Sequence, residues 1–214
     1  MSNHEQTART VYSRSAVDYA SAVGTVVSAA FETATDVAQL DAFAAECPEG
    51  GLVVDAGCGS GRVARLLADR TLEVLGTDIA PGMIDVARHA HPDLRFEVAP
   101  LTQLPIRAQH AAGVVFWYSI IATPPAALDV VWVELRRVLV DGGRALVGFQ
   151  SGDGEAVYRP DAYGTDTTLT LYRHSIDVIT AGLDGAGLEV TTVASRAPRF
   201  EHETTRQAFV HARA

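Results

Sequence analysis

Cysteine is nearly absent from this chain. Its two cysteines, Cys47 and Cys58, cannot form a disulfide scaffold. Neither stands in a Cys-x-x-Cys pair, which argues against a zinc site. Long apolar runs are missing as well. The longest lies between Ala111 and Ala122, short of the roughly 20 residues a membrane-crossing helix needs. Ala22 to Phe31 has the apolar character of a signal core. Asp18 precedes it, however, and no compact basic region opens the chain, so the segment reads as a helix face and a cytoplasmic protein is the expectation. Positive charge is also short: Lys plus Arg number 17 against 26 Asp plus Glu, a net charge of −9. With no Lys/Arg-rich run, a nucleic-acid backbone is an unfavourable partner. What the chain does have is 48% hydrophobic residues in 214, enough to bury the core of one domain and too many for a disordered chain.

Read in order, the chain is helical in pattern to about Cys47, where Pro48, Gly50 and Gly51 break it. Strand patterns follow at Leu52–Ala56, Glu73–Thr77, Leu94–Val98, Gly113–Tyr118 and Arg144–Phe149. Helical patterns separate them at Gly61–Arg70, Pro81–Ala90 and Pro124–Leu139, the last stopped by Asp141-Gly142-Gly143. Pro81 sits where a first helical turn tolerates proline. Ser151–Asp166 is loop-like, Thr167–Tyr172 alternates like an exposed strand, and His174–Gly185 is a helix. Leu188–Ser195 and Thr205–His211 close the chain as an antiparallel pair. Strand alternating with helix means an α/β domain with a mostly parallel sheet. Ligands of such sheets bind beyond the carboxyl ends of the strands, at the switch point of strand order.

Glycines 57, 59 and 61 cluster at the exit of the first strand, in Val53-Val54-Asp55-Ala56-Gly57-Cys58-Gly59-Ser60-Gly61. They permit positive φ and let a ligand approach the backbone. Gly61 opens a helix whose first amides suit a carboxylate or another anion. A dinucleotide fingerprint, Gly-x-Gly-x-x-Gly, would put its last glycine at Arg62, so the spacing counts against a nicotinamide or flavin oxidoreductase. A P-loop is excluded because no Gly-Lys-Ser/Thr follows. Asp78 ends the second strand about 20 residues on, where a carboxylate can accept from both hydroxyls of a ribose. Together the turn and the acid predict a ligand with a ribose and a carboxylate.

These segments resemble the class I S-adenosylmethionine-dependent methyltransferases. Residues 53–61 are similar to their first motif, Gly76-Thr-Asp-Ile-Ala-Pro-Gly-Met-Ile84 to their second, 113–121 to their fourth-strand segment, and 135–144 to the helix, turn and strand that follow. The resemblance covers roughly 50–150. It implies a Rossmann-like three-layer sandwich with a mostly parallel seven-stranded sheet and an antiparallel last strand. In that picture 1–214 is one methyltransferase domain, with a helical cap over 1–47 and a substrate-side insertion over 151–173. The implied cofactor is S-adenosyl-L-methionine. Asp55 and the amides of Gly57, Cys58 and Gly59 would hold its methionine part, with Gly61 completing the turn. Asp78 would hold the ribose, Ile79 and Met83 would pack on the adenine, and Trp117 would offer its carbonyl to the methionine amine. Two positions depart from the family. Pro100 stands where an acid often reads the adenine amine, which leaves the Leu101 amide, with Thr102 or Gln103, for the base. Ala122 stands where many relatives carry a histidine.

The implied activity is in-line methyl transfer to a small molecule, by proximity and orientation. Tyr118 and His174 are the candidate catalytic side chains; Tyr118 and Ser119 would face the methyl group or the acceptor, and His174 would cap the site. Tyr12 and Tyr19 could close over the cofactor from the N-terminal helix. Pro100 and Ala122 motivate an alternative, a non-catalytic S-adenosylmethionine-binding regulatory or partner protein.

Overall fold

The computed structural model describes residues 1–48 and 50–214. Three helices come first: α1 (Asn3–Arg14), α2 (Ala16–Val23) and α3 (Ala34–Glu46). The alternating part follows as β1 (Leu52–Ala56), α4 (Arg62–Ala68), β2 (Glu73–Asp78), α5 (Pro81–Ala90), β3 (Arg95–Val98), β4 (Ala111–Trp117), α6 (Leu128–Val138) and β5 (Leu139–Gln150). The chain ends with β6 (Ala156–Arg159), β7 (Leu169–Tyr172), α7 (Ile176–Gly185), β8 (Glu189–Arg196) and β9 (Gln207–Arg213).

Seven strands form one sheet in the order β3-β2-β1-β4-β5-β9-β8. The first five are parallel. The last strand, β9, runs antiparallel to both its neighbours, β5 and β8. Every residue of β4 is buried, as expected for a central parallel strand covered on both faces. Because side chains alternate across a strand, neighbouring residues serve different layers. Val54, Val114, Phe116 and Val147 pack with Trp132 and Leu135 of α6 and Ile179 of α7. Val53, Val115 and Leu146 pack with Phe43 of α3, Leu67 of α4 and Ile84 of α5. The result is a three-layer Rossmann-like sandwich. The strand order reverses between β1 and β4, and this opens a crevice at their carboxyl ends.

Several local expectations are corrected. Ala22–Phe31 is not a helix face: α2 ends at Val23, and Gly24 leaves it at φ +88°. The strap that follows lies against the glycine-turn region, where Ser60 Oγ donates to the Gly24 carbonyl (2.7 Å) and His91 Nε2 to that of Thr25 (2.8 Å). Ser151–Asp166 is not all loop, because β6 within it pairs antiparallel with β7. That strand is less exposed than its alternation suggested, since Leu169 packs with Ala8 and Val11 of α1. The helix read from Pro124 begins as a 3-10 turn over Pro125–Ala127. It also ends at Val138, before the Asp-Gly-Gly turn, and β5 runs through that turn from Leu139.

Candidate functional site

A cavity of about 580 Å³ lies at the crevice. Its floor is the turn after β1. The Gly57 and Cys58 amides both donate to the Thr77 carbonyl, at 2.7 and 2.8 Å, and the Gly59 amide donates to Asp78 Oδ2 at 3.0 Å. All three amides expected to hold a ligand carboxylate are therefore engaged within the protein, and the turn contributes shape. Gly57 shows why glycine is required there. It has φ +80°, and a Cβ on it would lie 2.2 Å from that of Ser119. Gly61 differs from its expected role. It does not line the cavity; its missing side chain makes room for Phe96, 2.9 Å from where a Cβ would sit.

Two carboxylates face this floor. Asp55 Oδ2 accepts from the Ala64 amide at 2.9 Å, closing the first turn of α4. Asp78 accepts from Gly59 on one oxygen and from the Ala80 amide (2.8 Å) on the other. A carboxylate has about four acceptor sites, so each acid keeps capacity for a ligand. Burial pushes the Asp55 carboxyl up to about 7 against the opposing Ala64 amide, and the charge of Asp78 adds to the rise. Burial likewise pushes Asp78 up to about 6. Neither acid has an ion-pair partner among the described residues.

Ile79, Met83 and Leu101 line the cavity as expected. Met83 packs with Ala16, Tyr12 and Tyr19, so the cap helices lie over the end of β2. Tyr12 and Tyr19 form an aromatic cluster with Tyr163 of the β6–β7 loop, their ring centroids 5.7–6.1 Å apart. The Trp117 ring stacks on Phe209 (5.4 Å), and Trp117 lines the cavity. Tyr118 follows at φ +57°, an unusual backbone state for a bulky residue. Its ring lines the cavity, and burial, with the charge of Asp36, raises its hydroxyl well above the tyrosine range. The hydroxyl is therefore protonated at neutral pH. Ser119 Oγ beside it is buried and has no partner among the described residues.

His174 is not where a base would have to be. It is fully buried and does not line the cavity. Nε2 donates to the Ile120 carbonyl (3.3 Å), the ring lies between Phe149 and Tyr172, and burial lowers its affinity for a proton. Sequence reasoning also missed residues of the cavity. Glu32 of the strap is ion-paired with Arg62 of α4, and Glu5 of α1 accepts from Thr102 Oγ1 at 2.9 Å. These contacts join distant segments, so no spacing announced them. Among the described residues no cluster of ligating side chains suits a metal ion, and no helix is long and apolar enough to cross a membrane.

Residues 53–143 match the family model of the methyltransferase domain. Over those residues, a little under half of the chain, the protein is similar to methyltransferase domains. The sequence is 33% identical over 94 residues to malonyl-[acyl-carrier protein] O-methyltransferase of Serratia marcescens, covering 44% of this chain and 36% of that protein. The match thus spans about a third of that relative's length. The fold of the chain is similar to that of magnesium protoporphyrin IX methyltransferase of Synechocystis PCC 6803, with TM-score 0.72, 19% identity and coverage of 100% of this chain and 98% of that one. It is also similar to the [4+2]-cyclase SpnF, with TM-score 0.73, 14% identity and coverage of 99% and 96%. At such identities the likeness is one of fold.

Proposed function

We propose that this chain is an S-adenosylmethionine-dependent methyltransferase acting on a small molecule. The observation that carries the proposal is the pair of buried, cation-free carboxylates, Asp55 and Asp78, on the floor of one cavity. Buried acids without a counter-charge are costly, and a ligand bringing an ammonium group and two hydroxyls relieves both. Asp78 accepts from the ribose and Asp55 faces the methionine part. Ser119 Oγ, Arg62 and the Ser60 amide are donors left for the carboxylate, since the Gly57, Cys58 and Gly59 amides are spent. Ile79, Met83 and Leu101 supply the apolar walls for the base.

When bound, the cofactor supplies a methyl group already activated by its sulfonium. The chain's own residues orient and enclose. The tyrosine cluster and the Glu32 strap exclude water from above, and fixed orientation supplies much of the rate. The Tyr118 hydroxyl donates a hydrogen bond toward the acceptor and takes no proton from it, so the acceptor brings its own nucleophile. Residues 1–47 act as the cap of this single domain and 151–173 as its acceptor side. Free, buried Cys47 and Cys58 accord with a reducing compartment, the cytoplasm.

The test is calorimetric titration with S-adenosylmethionine and S-adenosylhomocysteine, followed by a product assay over hydroxyl, amine, thiol and carboxylate acceptors. Micromolar binding and turnover of at least one acceptor are expected. Binding without turnover would favour a regulatory module or another chemistry on this fold, as the likeness to a cyclase illustrates. Absence of binding would end the proposal.

A further inference from the structure

The loop after β3 lacks the acid that could read an adenine amine, and the cap brings one to the same place. We propose that Glu5 of α1 is the acceptor for the 6-amino group of the cofactor's adenine, an inference that rests on the methyltransferase reading above. The strand order sets the direction. β2 lies between β1 and β3, so a nucleoside with its methionine part at the β1 turn and its ribose on Asp78 extends its base toward β3. The Ala99 amide is bound to the Asp78 carbonyl (2.9 Å), which ties the loop after β3 to that acid. Pro100 then offers neither an amide nor a carboxylate. Leu101 and Thr102 line the cavity, and so does Glu5.

The hydrogen bonds decide what remains for the base. Thr102 spends its hydroxyl proton on Glu5 Oε1, so that hydroxyl is not free to donate to the base. Glu5 Oε2 accepts from the Ser2 amide at 2.7 Å, within the capping box of α1. Oε1 retains a lone pair, and a carboxylate accepts only, which matches an amine that donates. Burial opposes the charge on Glu5, but the hydrogen bonds from Ser2 and Thr102 outweigh it and hold its carboxyl below the usual range. The group is ionised at neutral pH. Reading the base from α1 also links base recognition to seating of the cap: the adenine binds fully only when α1 is docked.

The experiment compares S-adenosylhomocysteine with its 6-deamino (purine) analogue by calorimetry, in the wild-type chain and in Glu5→Ala, Glu5→Gln and Ser2→Ala. A charge-assisted hydrogen bond gives the wild type about a ten- to hundredfold preference for the adenine ligand. Glu5→Ala should reduce the preference to within about threefold on the same principle. Glu5→Gln keeps a capping box and should lower the preference several-fold, because the bond becomes neutral. Ser2→Ala loosens the helix start but keeps the carboxylate, so it should weaken both ligands together and leave the ratio unchanged. A Glu5→Ala protein that unfolds cooperatively and keeps the wild-type ratio would overturn the assignment and leave Glu5 as a helix cap alone. Failure of the wild type to bind either ligand would overturn the methyltransferase reading and this one with it.

Discussion

Asp78→Asn separates the cost of the buried charge from its use. In the cofactor-free protein the Asp78 carboxyl is raised from 3.8 to about 6 by burial. At about 1.36 kcal/mol per unit, the charged form costs the fold about 3 kcal/mol above pH 6. Asparagine removes that cost but leaves the Gly59 or the Ala80 amide facing an NH2 group, at about 1–3 kcal/mol. At pH 7.5 the two nearly cancel, and the midpoint of thermal unfolding should move by no more than a few degrees. The pH dependence has a definite sign. A raised folded-state value stabilises fully below 3.8, and that stabilisation is lost as pH rises through 6. The variant lacks this titration, so it should be clearly less stable than the wild type at pH 4 and nearly equal to it above pH 6.5. Cofactor affinity should behave differently. One charge-assisted ribose bond is lost and the other becomes neutral, about 2–3 kcal/mol, or roughly a 30- to 150-fold weaker Kd at pH 7.5. Scanning calorimetry across pH and titration with S-adenosylhomocysteine read the two effects. A folded variant whose Kd stays within twofold of wild type would refute the placement of the ribose.

Gly57→Ala should destabilise by about 2–4 kcal/mol, from the left-handed backbone and the collision with Ser119 together; adding Ser119→Gly should restore part of the loss in denaturant unfolding. Arg196 binds buried Asp36 (2.7 Å) and half-buried Glu203 (2.6 Å), so Arg196→Ala leaves one buried acid without its counter-charge and should cost about 3 kcal/mol, read as a lowered urea midpoint. His174→Ala should lose about 2–4 kcal/mol of stability through the cavity it leaves between Phe149 and Tyr172, while the pH profile of turnover keeps its shape; loss of an ionisation from that profile would restore His174 as a base.

Much of the fold is legible locally, because strand and helix announce themselves by side-chain period and by turn residues. The alternation from Leu52 to Phe149, Pro81 at a helix start and the last pair of strands are of this kind. So is the position of the site: Gly57 and Asp78 lie at the ends of neighbouring parallel strands, and parallel register alone brings them together. The short strand β6 was less legible, because four residues with little burial carry almost no pattern and are held by pairing with β7.

The sequence by itself determined the α/β class with its mostly parallel sheet, the switch-point crevice and the two acids on its floor, since each follows from patterns only a few residues long. Only the tertiary structure decided how those groups are used. It spent the amides of the glycine turn on Thr77 and Asp78, turned Gly61 toward Phe96, and buried His174 away from the cavity. It also brought Glu32 to Arg62 across 30 positions and Glu5 to Thr102 across 97. A hydrogen-bonding group is indifferent to the distance along the chain at which its partner lies, so local pattern locates the donors and acceptors and only packing pairs them.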